Sequence, residues 1–275
     1  MSVAIEAGAS IRQLQATLPL DPLENRILLC HVLGITRVGL ITGSERTLTE
    51  QEAQQLAALV GRRLDGEPIA YIVGEREFFG LRFQVSPAVL IPRPDTELIV
   101  ELALERLPQG GRLLDMGTGS GAIAVSCAHS RRDAQVTALD LSEDALAVAR
   151  ANAAANGVTV RFLRSDWFDA IQNERFELIA SNPPYIASGD EHLSQGDLRF
   201  EPTGALTDHA DGLSALRSIV DGAPAHLEPG GWLLLEHGYD QADAVRDLLQ
   251  QRGFQDVQSW RDLADIERVS GGRLP

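Results

Sequence analysis

"LLDMGTGSGAIA", residues 113–124, decides the fold. It passes from an apolar strand-like run through Asp115 into Gly117-Thr118-Gly119-Ser120-Gly121, then into an apolar helix-like run. Glycine permits a tight turn and lets a ligand approach the backbone. The order therefore predicts strand, ligand-cradling loop and helix. A dinucleotide fold carries G-x-G-x-x-G. Here the third glycine follows the second by two residues, giving G-x-G-x-G with an acid ahead of it. Alone, such a loop suits many nucleotide-like ligands.

Working outward, "QVTALD" (135–140) reads as the next strand and ends on Asp140. That acid lies at about the 20-residue distance expected for a carboxylate that binds ribose hydroxyls. Its other possible task is to cap the helix of "SEDALAVARANAAANG" (142–157), but Ser142 can do that. "VTVRFLRSD" is a third strand, followed by Asp166, Trp167 and Phe168, an acceptor beside flat apolar rings that suit an adenine. A fourth strand, "FELIASN", runs into Asn182-Pro183-Pro184-Tyr185. Two successive prolines end a strand and stiffen the turn.

Further on, "DGLSALRSIVDGAPAHL" and "YDQADAVRDLLQQRG" read as helices, and "GWLLLEH" and "FQDVQSW" as strands. Short apolar strands alternating with helices predict a parallel sheet covered on both faces, with ligands beyond the carboxyl ends of its strands.

Upstream the period is helical. "IRQLQATL" spaces Ile11, Leu14 and Leu18 on one face. "DPLENRILLCHVLG" opens with Asp21-Pro22 and closes at Gly34, and Thr49 with Glu52 forms a capping-box pattern ahead of an apolar stripe. "EFFGLRFQVSPAVLIPRP" then reads as two extended segments broken by Gly80 and by Ser86-Pro87, a hairpin-like connector. "RPDTELIVELALERL" starts a helix at Pro94, with Asp95 and Glu97 complementing its positive end. Arg93 or Glu97 is expected to border the mouth of the site.

The 275-residue chain has a net charge of −15 and no lysine; all 24 cationic residues are arginine. Dense positive charge drives phosphate binding, so this balance argues against direct nucleic-acid binding. No run is long and apolar enough for a membrane span. The start, "MSVAIEAGASIRQLQATL", has no basic cluster followed by an apolar stretch, so a cytoplasmic protein is expected. Cys30 and Cys127 sit in apolar contexts, and the six histidines show no ligand spacing, so no metal site is expected.

Glycine loop, acid, acid–aromatic pair and NPPY at four successive strand ends resemble the Rossmann-like S-adenosylmethionine-dependent methyltransferases. The resemblance narrows over "REFFGLRFQVSPAVLIPRPDTELIV" (76–100), "EPTGALTDHADGLSALRSIV" (201–220) and "LEPGGWLLLEHGYDQ" (227–241) to the HemK/PrmC family of release factor glutamine methyltransferases. It covers essentially the whole chain. It implies a Rossmann-like, mixed but mostly parallel seven-stranded α/β sheet (93–275), a helical substrate-recognition domain (1–75) and a hairpin linker (76–92). It also implies transfer of a methyl from S-adenosylmethionine to N5 of the glutamine in the Gly-Gly-Gln motif of peptide chain release factors. Carried onto this chain, Gly117, Thr118, Gly119, Ser120, Gly121, Asp140, Trp167 and Asn182 face the cofactor. Asn182, Pro183, Pro184 and Tyr185 hold the glutamine amide. Two departures from the family pattern stand out: Met116 where leucine is frequent, and His237 where an apolar residue is usual. Methylation of a nucleic-acid base amino group or of a ribosomal-protein glutamine, a nicotinamide oxidoreductase and an inactive binding fold are the alternatives.

Overall fold

The computed structural model describes residues 4–275; Met1–Val3, the first residues of the stretch read for a leader, lie outside them. The chain divides into two compact units, one ending at Gly74 and the other running Glu75–Pro275.

The first unit is helical: α1 (Ile11–Thr17), α2 (Pro22–Leu33), α3 (Arg37–Thr42), α4 (Glu50–Leu64) and α5 (Ile69–Val73). Its ends form where the sequence places them. Asp21 accepts from the Leu23 N–H at 2.8 Å, Pro22 takes the first turn, and Gly34 closes α2 with φ 63°. Thr49 and Glu52 exchange both capping-box bonds at the start of α4; such a cap is worth about 1 kcal/mol. The apolar stripes meet in one core around Ile11, Leu28, Leu29, Leu40, Leu56 and Val60. The short α3 and α5 lack a full amphipathic repeat and are not separately legible. Val38 and Ile41 of α3 stay exposed, at 67 % and 76 %.

The second unit opens with the antiparallel pair β1 (Glu75–Phe78) and β2 (Leu81–Gln84), joined by Phe79 and Gly80, both at positive φ. Residues 88–93, after Ser86-Pro87, add no further strand to this connector. Next come α6 (Glu97–Arg106), β3 (Arg112–Met116), α7 (Ala122–Ser130), β4 (Gln135–Asp140), α8 (Glu143–Ala155), β5 (Arg161–Arg164) and β6 (Phe176–Ser181). The chain ends with α9 (Thr203–Leu206), α10 (Ser214–His226), β7 (Leu227–Glu236), α11 (Ala242–Gln251), β8 (Gln255–Arg261) and β9 (Glu267–Arg273).

Seven strands form one sheet in the order β5-β4-β3-β6-β7-β9-β8, parallel through β7, with β9 antiparallel to both its neighbours β7 and β8. The expected mixed, mostly parallel seven-stranded architecture is the one present. Side chains alternate between two cores. Leu113, Leu178, Ala180 and Leu234 join the α6 and α7 side, while Leu114, Ile179, Leu233 and Leu235 join the α10 and α11 side. The strand order reverses between β3 and β6, which is where sheets of this kind open a crevice beyond their carboxyl ends.

β9 has no counterpart in the reading of the sequence. Its Gly271 and Gly272 weaken any strand signal. They are small because a Cβ at Gly271 would stand 2.5 Å from the Leu233 carbonyl oxygen, and one at Gly272 2.9 Å from Phe254.

Candidate active site

Beyond those strand ends lies a cavity of about 560 Å³. That is within the range that accepts a nucleoside-sized ligand. Gly117, Thr118, Gly119 and Ser120 line it after β3, Asp140 after β4, Trp167 after β5, and Asn182 and Pro184 after β6. Four separate loops thus converge on one space.

The glycine loop is shaped by one buried acid. Asp115 is wholly buried; its Oδ2 accepts from Thr118 Oγ1 at 2.6 Å and from the Ala124 N–H at 3.2 Å. These bonds tie the loop to the first turn of α7. Burial outweighs them and raises the Asp115 carboxyl to about 7. Gly117 and Gly119 have φ of 68° and 54°, with nothing within 4 Å of where a Cβ would stand. Gly121 differs. It does not line the cavity but starts α7 at φ 83°, where a Cβ would stand 3.1 Å from Ala149. It sets helix packing.

Asp140 accepts from the Gly119 N–H at 2.8 Å and from the Ser142 N–H at 2.9 Å, while the Ser142 hydroxyl caps α8. Burial raises the Asp140 carboxyl above its ordinary range. A carboxylate has about four lone-pair directions, so these backbone donors do not exhaust its capacity for hydroxyl donors. Trp167 sits at φ 44° and reaches the cavity. Phe168 turns away and stacks on His226 at 4.6 Å, so the two adjacent aromatics divide between site and core.

Asn182 donates from Nδ2 to Thr96 Oγ1 at 3.3 Å. Pro183 and Tyr185 do not line the cavity. Pro183 is buried, and the Tyr185 ring packs against the α10–α11 core. The Tyr185 carbonyl accepts from Gln241 Nε2 at 3.0 Å, which fixes the exit of the loop. Burial pushes the Tyr185 phenol up, so it stays protonated.

Arg93 borders the cavity and Glu97 does not. Glu97 instead accepts from the Phe79 N–H at 2.8 Å, pinning the hairpin to α6. Arg93 pairs with the buried Glu201, which also accepts from the Ile91 N–H at 3.1 Å. Met116 fills its place wholly buried. His237, also wholly buried, has Nδ1 2.8 Å from the Gly238 carbonyl oxygen and Nε2 2.8 Å from Ser270 Oγ. Among the described residues no helix is long and apolar enough to cross a membrane.

An open glycine turn, an acid with spare lone pairs, an aromatic wall and a fixed amide at the switch point of this sheet are the parts of a methyltransferase. The family model for the methyltransferase small domain matches residues 94–198, and that for the PrmC N-terminal domain matches residues 9–74. The release factor glutamine methyltransferase of Burkholderia pseudomallei is 54 % identical over 284 residues, covering 100 % of each chain. That of Neisseria gonorrhoeae is 53 % identical, over 92 % of this chain and 94 % of its own. A methyltransferase from Pyrococcus furiosus shares the fold, with a TM-score of 0.55 at 22 % identity over 78 % of this chain and 96 % of that one. The chain belongs to the release factor glutamine methyltransferase family.

Proposed function

We propose that the chain methylates N5 of the glutamine in the Gly-Gly-Gln motif of peptide chain release factors, with S-adenosylmethionine as donor. The observation that carries this is the placing of Asn182 and Pro184 on the same cavity as Gly117–Ser120 and Asp140. The cavity residues fit the donor. The open turn at Gly117 and Gly119 admits its backbone-facing part, Asp140 accepts from its ribose hydroxyls, and Trp167 covers the base. When bound, the donor supplies an electrophilic methyl on a sulfonium.

An amide nitrogen is a weak nucleophile because its lone pair is delocalised. Asn182 Oδ1 and the Pro183 carbonyl accept the two N–H bonds of the glutamine amide. They aim its nitrogen at the methyl and stabilise the positive charge that grows there. Pro183 and Pro184 hold these acceptors rigid before substrate arrives, and Tyr185 braces them from the core side. No strong base is needed, because the nitrogen becomes acidic only as it is methylated. A release factor substrate fits cytoplasmic work, and the charge of −15 fits a protein target better than a flipped base.

The helical unit ending at Gly74 contributes to recognition of the release factor; the exposed Val38 and Ile41 of α3 support this. A chain shortened to begin near residue 76 keeps cofactor binding but loses efficiency on the protein substrate. Equal efficiency removes that assignment.

The decisive assay uses labelled S-adenosylmethionine with a bacterial release factor, its Gly-Gly-Ala variant, a ribosomal-protein mixture and DNA. Label on the intact release factor alone is expected. Label only on ribosomal protein or DNA overturns the substrate while leaving planar-nitrogen chemistry in place.

A further inference from the structure

Glu236, the last residue of β7, is 2 % exposed and has no role in the chemistry described so far. Strand alternation puts its side chain on the Leu234 face, which α6 covers. β7 runs parallel to β6 with Leu235 opposite Ser181, so Glu236 arrives beside Asn182. It also lies at the positive end of α6, a favourable place for a carboxylate. The Thr96 hydroxyl and the Asn182 amide both face it, and Thr96 Oγ1 accepts from Asn182 Nδ2 at 3.3 Å. Its Oε2 has no hydrogen-bond partner in the structure. A buried acid left short of partners is costly.

We infer that Glu236 is a positioning residue for methyl transfer: its carboxylate fixes the polarity of the Thr96–Asn182 chain and turns Asn182 Oδ1 toward the substrate. This rests on the reading of Asn182 given under Proposed function. An ionised carboxylate can only accept. Thr96 must then donate its hydroxyl proton to Glu236, which leaves the Thr96 oxygen to accept from Asn182 Nδ2. The amide is locked, and Oδ1 is the atom left for the cavity. With the amide reversed, an NH2 group would face the substrate NH2 group, donor against donor. A group that could donate in place of Glu236 would permit that reversal.

The groups facing Glu236 are Asp95 and Thr96 before α6, Asn182 and Tyr185 after β6, and Arg268 on β9. Burial is the main force holding the carboxyl protonated, and Asp95 adds to it; Arg268 opposes them, and the carboxyl lies at about 7. The ionised form is the one that sets the chain, so turnover of the bound complex rises with pH through this titration.

The test is steady-state kinetics on a release factor with full-length Glu236→Gln, Thr96→Val, Thr96→Ser and Asn182→Ala, together with direct S-adenosylmethionine binding. Glu236→Gln is expected to lower kcat about 10-fold or more. Its cofactor Kd should stay within about twofold of wild type, and its kcat should lose the acidic limb of the pH profile. Thr96→Val should lose turnover likewise, and Thr96→Ser, which keeps the hydroxyl, should retain several-fold more than Thr96→Val. Wild-type kcat and pH profile in Glu236→Gln overturn the inference, as does a loss explained wholly by weaker cofactor binding. If Glu236→Gln does not fold, the contrast between Thr96→Val and Thr96→Ser decides: equal turnover overturns the inference. An inactive Asn182→Ala with a normal Glu236→Gln removes the positioning role alone. A fully active Asn182→Ala removes the role of Asn182 itself, and the inference with it.

Discussion

Asp115 and Glu236 are both buried carboxyls at the carboxyl ends of strands in one sheet, both raised to about 7 by burial, and each keeps one oxygen without a hydrogen-bond partner. They differ in where their partners come from. Asp115 bonds Thr118 and Ala124, close behind it in the chain, so it shapes a loop that the local sequence already specifies. Glu236 meets Thr96 and Asn182, which belong to other elements of the unit. The side of the cavity proposed to hold the donor is therefore built from backbone turned by glycines and held by a local acid. The side proposed to hold the acceptor is built from side chains that meet only once α6, β6 and β7 are packed together. Desolvation is tolerated in both places because each acid fixes a geometry that water would loosen.

The largest effect separating the two sides is expected in Asn182→Ala. Removing one preorganised polar group from a site of charge development costs on the order of 10²–10³ in kcat. Release factor methylation should fall that far while calorimetry still shows cofactor binding, weakened and not lost. Full turnover would erase the distinction between donor and acceptor sides.

Asp115→Ala should act on the donor side through stability. It leaves the Thr118 hydroxyl and the Ala124 N–H without their acceptor, at about 2–4 kcal/mol in total. Denaturant unfolding should show that loss. A midpoint equal to wild type would mean that the loop does not depend on its acid.

Asp140→Ala should leave the fold intact and weaken S-adenosylmethionine binding about 10- to 100-fold, the value of hydrogen bonds to a charged acceptor. Fluorescence quenching of Trp167 offers a direct titration. Unchanged affinity would remove the ribose assignment.

The smallest effect is a pH slope. A carboxyl whose folded pKa lies above its unfolded value binds the extra proton in the native state. The stability this gives is fully present below the unfolded carboxyl range and is lost as pH rises through about 7. Asp115→Asn keeps an oxygen for Thr118 and Ala124 and cannot ionise, so thermal unfolding between pH 5 and pH 8 (roughly the window in question) should fall less steeply than in wild type. An identical slope would assign the titration to Glu236 or elsewhere.

What the sequence determined by itself was whatever depends on neighbours along the chain. The caps at Asp21, Gly34, Thr49 and Ser142 form as their local patterns dictate. The glycine loop after β3 and the strand–helix alternation that makes a parallel sheet were equally legible, because turn geometry and apolar period act over a few residues. Tertiary structure decided the rest. It made a strand of the glycine-containing 267–273, since only close approach to Leu233 and Phe254 explains that composition. It sent Trp167 to the cavity and Phe168 to the core, although the two are adjacent and alike. It placed Gly121 at the start of α7 and the Tyr185 ring against the α10–α11 core, off the cavity lining, and it assembled Glu236, Thr96 and Asn182 from three elements. A side chain's partner across a sheet is set by register and packing, and no window of neighbouring residues contains that information.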